Sequence, residues 1–152
     1  MKSLTKTVSV LAVASLLGLG LNTTSAQGAE VVIGMSSPSL ADAGQQVIAA
    51  GVKTWVAKQG WTLVAKNANG VAKDQATQIE ALIEQKVSAI IMVPADAAAI
   101  CAPIAKAEAA GIPVFAIDRL PDGCKVAATV LADNYLAGQD SGKAMVKLLT
   151  KK

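Results

Sequence analysis

Ala89-Ile90-Ile91-Met92-Val93 is apolar at all five positions, where a half-buried strand would alternate apolar with polar side chains. An unbroken apolar run of strand length is expected of a parallel strand covered by helices on both faces. The flanks agree. Upstream, Asp74–Gln85 places Ile79, Leu82 and Ile83 on one helical face, with Asp74 set as its cap. Downstream, Ala97–Ala110 has helical spacing and carries Pro103, which bends that helix or delays its start. The same rhythm extends outward in both directions, with Gly, Pro or Asn at most joins. It predicts strands at Val31–Ser36, Trp61–Lys66, Ser88–Val93, Ile112–Ile117 and Val126–Leu131, with helices at Ala43–Gln59, Asp74–Gln85, Ala97–Ala110 and Tyr135–Thr150. Alternating strands and helices imply an α/β fold with a doubly wound parallel sheet.

In such sheets, ligands bind outside the carboxyl ends of the strands. That rule nominates Ser36-Ser37-Pro38-Ser39, Lys66-Asn67-Ala68-Asn69, Pro94-Ala95-Asp96 and Asp118-Arg119. The last pair is the most informative, because it ends an apolar strand and Arg119 is the only arginine of the chain. A carboxylate that accepts, beside a planar guanidinium that donates, suits a ligand with adjacent hydroxyls, each both donor and acceptor. The alternative for the same two residues is an ion pair that stabilises the turn. Asp96 precedes a helix and reads as a cap rather than a ligand contact. Trp55 and Trp61 read as residues of the core or its flank, and Asn67 and Asn69 as polar loop residues at the end of the second strand.

The N-terminus has a different character. Lys2 and Lys6 precede an uncharged, mostly apolar run from Val8 to Leu21, and Thr24-Ser25-Ala26 supplies a small-residue cleavage site, so residues 1–26 read as a signal peptide. Cleavage after Ala26 is expected, with Ala29 the alternative. The apolar run is shorter than the ~20 residues that span a bilayer. Without Lys2 and Lys6, the excess of basic over acidic residues falls from three to one, and no basic cluster remains that could follow a nucleic-acid backbone. The chain has no histidine, which removes the commonest general base and neutral metal ligand. It also has no G-x-S-x-G elbow, no phosphate-binding loop and no G-x-G-x-x-G, so neither an enzyme nor a cofactor or metal site is expected. Cys101 and Cys124 are the only cysteines. In the oxidising compartment that export implies, they are expected to form one disulfide.

One ordered set of motifs completes the reading: Gly60-Trp61-Thr62-Leu63-Val64, Gln75 to Ile83, Ala89 to Asp96, Ala109-Ala110-Gly111-Ile112-Pro113-Val114, Asp118-Arg119, Asp133-Asn134 and Gly138-Gln139. In this order and spacing, from about Glu30 to Lys151, the chain resembles periplasmic sugar-binding proteins of the ribose-binding type, the receptor components of ABC import systems. The resemblance implies a Rossmann-like lobe with strand order 2-1-3-4-5. It also implies a monosaccharide or similar solute held by Asp118 and Arg119, with further contacts from Ser37, Asp42 and Gln45 in the loop after the first strand. That loop, Ser37 to Gln46, has no aromatic residue, where the family commonly stacks rings on the sugar. Asp133 and Asn134 match the family's first crossing between lobes and read as hinge and helix cap. The implied organisation is therefore a signal peptide at 1–26, an N-terminal lobe at 27–133, and at 134–152 the first helix of a second lobe that the sequence does not include. The implied partners are a sugar, the membrane subunits of an ABC permease and a chemoreceptor, in the periplasm. A rival reading keeps the lobe as a docking module for permease or chemoreceptor that binds no solute.

Overall fold

The computed structural model describes residues 30–150; the expected signal peptide at 1–26 lies outside them. Five strands and four helices alternate except that β4 leads straight to β5: β1 (Val32–Ser37), α1 (Ala43–Lys58), β2 (Thr62–Asn67), α2 (Ala72–Glu84), β3 (Ala89–Met92), α3 (Cys101–Ala109), β4 (Val114–Ile117), β5 (Ala128–Val130) and α4 (Asn134–Leu149). The strands form a single sheet in the order β2-β1-β3-β4-β5, parallel at every pairing. The expected fold class and strand order are those of the molecule.

The core lies between the sheet and helices α2 and α3. Ile79 and Leu82 of α2, together with Ile104 and Ala107 of α3, pack on Ile90, Met92, Val114 and Ala116 of β3 and β4. Gly34 of β1 permits the closest approach: a Cβ there would stand 2.9 Å from Leu82 Cδ1. The opposite face is covered less completely. Ile90 and Met92 of β3 are buried but Ile91 is only half-buried, and an open apolar groove is lined by Ile33, Trp55, Trp61, Ile91, Pro113 and Phe115. The uninterrupted apolar run of β3 predicts helices on both faces. Among the described residues, however, only α1 packs on this second face, against β1 and β2, so β3 and β4 stay partly open there. Trp55 and Trp61 meet edge to face at 5.9 Å between ring centroids and line that groove.

Local chemistry sets where each element stops. Helices α1, α2 and α3 each end in a left-handed residue, Gly60 (φ 71°), Lys86 (φ 54°) and Gly111 (φ 74°). In each case the left-handed residue donates to a carbonyl of the last turn and the next residue donates to the carbonyl one position earlier, as in Gly60 N to Ala57 O and Trp61 N to Val56 O. This is the Schellman closure, which satisfies carbonyls that the helix would leave open. Helix α2 begins two residues before its expected start, with Val71 as N-cap and no side-chain cap bond. Asp74 is thus not the cap but lies in the first turn, where a carboxylate still complements the helix dipole. Helix α3 starts at Cys101 rather than Ala97, which leaves Pro103 in its first turn, where its missing N–H breaks no helical bond. β4 is shorter than its apolar run because Pro113 has no N–H to give the ladder; its carbonyl still accepts from Ile90 N at 2.9 Å.

Candidate functional site

The carboxyl ends of all five strands open on one rim of the sheet, and loops from four of them are tied together there. The loop after β1 is bound to the loop after β2. Asn67 Oδ1 accepts from Leu40 N at 3.0 Å, Ala68 N donates to Ser37 O at 2.9 Å, and Gly70 N donates to Pro38 O at 2.7 Å. The loop after β3 is held from α2 by Gln75, which is fully buried. Its Nε2 donates to Val93 O at 2.8 Å, while its Oε1 accepts from Ala95 N at 2.7 Å. Gln78 performs the same service for β1 and β2, donating to Asn67 O at 2.9 Å and accepting from Ser36 Oγ at 3.2 Å. A buried amide satisfied at both ends fixes two segments at once.

The loop after β4 carries Asp118 and Arg119. Asp118 has φ 66°, a left-handed conformation uncommon for residues with a side chain and characteristic of functional positions. Its amide donates to Val130 O at 2.9 Å, which ties the turn to the end of β5. The two side chains do not pair with each other. Arg119 Nη1 donates instead to Pro94 O of the neighbouring loop at 3.2 Å, and Asp118 Oδ2 accepts from Gln45 Nε2 at 3.2 Å. Asp118 thus reaches to helix α1 and Arg119 to the loop after β3, which is not the local ion pair that spacing alone allowed. The following segment is anchored to α3 by a disulfide between Cys101 and Cys124, Cα atoms 5.5 Å apart, and to the loop before α3 by Asp122 N donating to Ala97 O at 2.8 Å.

Helix α1 supplies the remaining candidates. Asp42 is its N-cap and accepts from Gln45 N at 2.9 Å, which leaves its second carboxylate oxygen without a bond among the described residues. Gln45, three positions on, is buried and makes the bond to Asp118. Its Oε1 is buried without a partner among the described residues. Ser37 closes β1 and is 2% exposed, so its contribution to the rim runs through its carbonyl. Asp96 accepts from Ala98 N and Ala99 N at 2.9 and 2.8 Å and so closes the turn ahead of α3, whose own N-cap is Ile100, not the helix cap expected of it. Asp133 is the N-cap of α4, accepting from Leu136 N at 2.8 Å, and Asn134 is the first residue of that helix.

Asp118, Arg119, Asp42 and Gln45 therefore meet on one rim, whereas Trp55 and Trp61 lie in the apolar groove on the sheet face. Gln75 and Gln78, which hold the rim loops in place, were not legible as site residues. Their signal is faint but present: two amides in helical phase with Ile79 and Leu82, on a face that should otherwise be apolar. Among the described residues no group of His, Cys, Asp and Glu could hold a metal ion, and no helix is long and apolar enough to cross a membrane.

Comparison with known proteins gives a consistent set of likenesses. A family model described as periplasmic binding protein domain matches residues 33–152. The ribose import binding protein of Bacillus subtilis is 31% identical over 110 residues, which are 72% of this chain and 36% of that protein. The xylitol-binding protein of Mycolicibacterium smegmatis is 32% identical over 99 residues, 65% of this chain and 28% of that protein. Among solved structures, an ABC transporter solute-binding protein from Mycobacterium smegmatis with bound glycerol superposes with a TM-score of 0.74 at 30% identity, covering 80% of this chain and 42% of that one. The chain spans well under half the length of each of these relatives.

Proposed function

Since the chain belongs to the periplasmic binding protein domain family, we propose that it is the N-terminal lobe of an ABC-import solute receptor, binding a monosaccharide or similar polyhydroxylated solute at the rim around Asp118 and Arg119. The observation that carries this reading is the local conformation of Asp118. A left-handed turn carries a carboxylate next to the chain's only arginine, and Asp118 is held by Gln45 of helix α1 and Arg119 by the loop after β3 rather than by each other. A vicinal diol offers donors to the carboxylate and acceptors to the guanidinium, and charge-assisted bonds of this kind are stronger than neutral ones. Asp42, Gln45 and Ser37 complete the lobe's share of the site.

The rim has no aromatic plate to stack on a pyranose face. This favours solutes recognised through their hydroxyls, and the relatives named for xylitol and crystallised with glycerol support the same direction. Residues 1–26 are assigned to export into the periplasm, 27–133 to the lobe and 134–152 to the first helix of the second lobe. Asp133 and Asn134 stand at the hinge, and Cys101–Cys124 braces the loop after β4. ABC permease subunits and a chemoreceptor are the proposed partners. The test is a thermal-shift series with pentoses, hexoses and acyclic polyols, since a ligand that binds only the folded state raises the melting temperature. At least one polyhydroxylated solute should stabilise the chain at millimolar concentration, and Asp118→Ala or Arg119→Ala should abolish the shift. A shift that survives both substitutions would place the site elsewhere, and no shift with any solute would favour a docking lobe that binds none.

A further inference from the structure

Asp42-Ala43-Gly44-Gln45 has the spacing of a capping box, in which the third helical side chain returns to the N-cap amide. Only half of the box forms. Gln45 N donates to Asp42 Oδ1 at 2.9 Å, but the Gln45 side chain turns away from the cap and crosses 73 residues of sequence to donate to Asp118 Oδ2 at 3.2 Å. The orientation of the amide follows from chemistry, because a carboxylate only accepts and must therefore face Nε2. Oε1 is then left buried with no donor, on a residue that is 6% exposed. A residue selected only to pack this corner would be apolar, since that would leave no orphaned acceptor.

We infer that Gln45 is a positioning residue, which clamps one oxygen of the Asp118 carboxylate so that the other, Oδ1, is presented to a solute hydroxyl. Oδ1 has no bond among the described residues, and Asp118 already sits in a turn fixed by its own amide bond to Val130 O. With the backbone and one carboxylate oxygen held, the side chain keeps a single rotamer, and a hydroxyl meets an acceptor that needs no reorientation. The inference rests on the reading of Asp118 as the solute-binding carboxylate.

The test uses the whole chain and its Gln45→Leu and Gln45→Glu variants. Without solute, the three-bond couplings of the Asp118 β-protons should report one rotamer in the parent and averaged rotamers in both variants, while Gln45→Leu melts no lower than the parent. With ribose and xylitol as probes, followed by chemical-shift titration, Gln45→Leu should bind at least tenfold more weakly. That split, with stability kept and affinity lost, is not produced by a residue that merely supports the fold. Unchanged Asp118 couplings in the variants would overturn the inference, as would a lower melting temperature in Gln45→Leu with binding weakened in proportion. If Gln45→Leu does not fold, Gln45→Glu and the hydrogen exchange of the parent's Gln45 amide decide, and exchange at the solvent rate overturns the clamp. If the parent binds neither these probes nor any solute of the thermal-shift series, the solute reading fails, and the couplings still decide whether Gln45 holds Asp118.

Discussion

Lys86 is left-handed at φ 54° in the position where α1 and α3 carry Gly60 and Gly111. The Schellman closure needs that conformation, and for a residue with a Cβ it costs about 1 kcal/mol. Lys86→Gly should therefore raise stability by roughly 0.5–1 kcal/mol, read as a higher denaturant midpoint at unchanged slope. At Gly34 the argument runs the other way. A methyl group there would stand 2.9 Å from Leu82 Cδ1, so Gly34→Ala should destabilise by about 1–3 kcal/mol through overpacking, checked in the same denaturant series. At this scale the sequence was partly legible. The pairing of a carboxylate and a lone arginine at the end of an apolar strand marked Asp118 and Arg119. The partners of those side chains were not legible, because Gln45 and Pro94 lie 73 and 25 residues away, and only the folded sheet brings them alongside.

Among the elements, the brace between α3 and the loop after β4 has the most testable consequence. Cys101 and Cys124 are 23 residues apart in sequence, and closing a loop of that size stabilises a fold by roughly 3 kcal/mol in the chain-entropy account. Reduction, or a Cys101→Ala/Cys124→Ala double substitution, should lower the melting temperature and loosen Arg119 to Asp122. Hydrogen exchange should show the loss of protection spreading first through that loop, including the Asp122 amide. Existence and order of the strands and helices followed from apolar runs and helical phase, and only their ends moved. Helix α2 started earlier because Asn69 and Gly70 take left-handed conformations and turn the chain directly into it. Apolar periodicity carries no information about such a turn. Full coverage of β3 was also overestimated, since an apolar residue such as Ile91 reads alike whether its face is packed or half open.

At the scale of the molecule, the proposed site is one wall, the rim at the carboxyl ends of the strands of this lobe. On the proposed reading, Asp118, Arg119 and Asp42 meet one side of a solute while Gln45 holds Asp118, and contacts from one side alone leave the desolvation that strengthens polar bonds incomplete. Calorimetry on the 152-residue chain should therefore give dissociation constants in the millimolar range, and sub-micromolar binding of any monosaccharide or polyol would refute the half-site account. Helix α4 buries none of its residues and exposes Leu136, Met145, Leu148 and Leu149. Apolar side chains open on one helix favour self-association, so replacing Leu148 and Leu149 by Glu should lower concentration-dependent association in sedimentation velocity.

The repeated closure at the ends of α1, α2 and α3 separates the two rims of the sheet. Where helices hand the chain to β2, β3 and β4, every turn is a tight, hydrogen-bonded device with almost no spare residue. Where strands β1, β3 and β4 hand it onward, the segments are longer and are held by side chains such as Gln75 and Asn67. Insertions are tolerable at the second rim and disruptive at the first, where the closures leave no spare residue. A lineage built on this scaffold can therefore drift in what it recognises while its architecture stays put, and loop grafting to redirect its taste for solutes should be confined to the Ser37–Asp42, Pro94–Ile100 and Asp118–Lys125 segments.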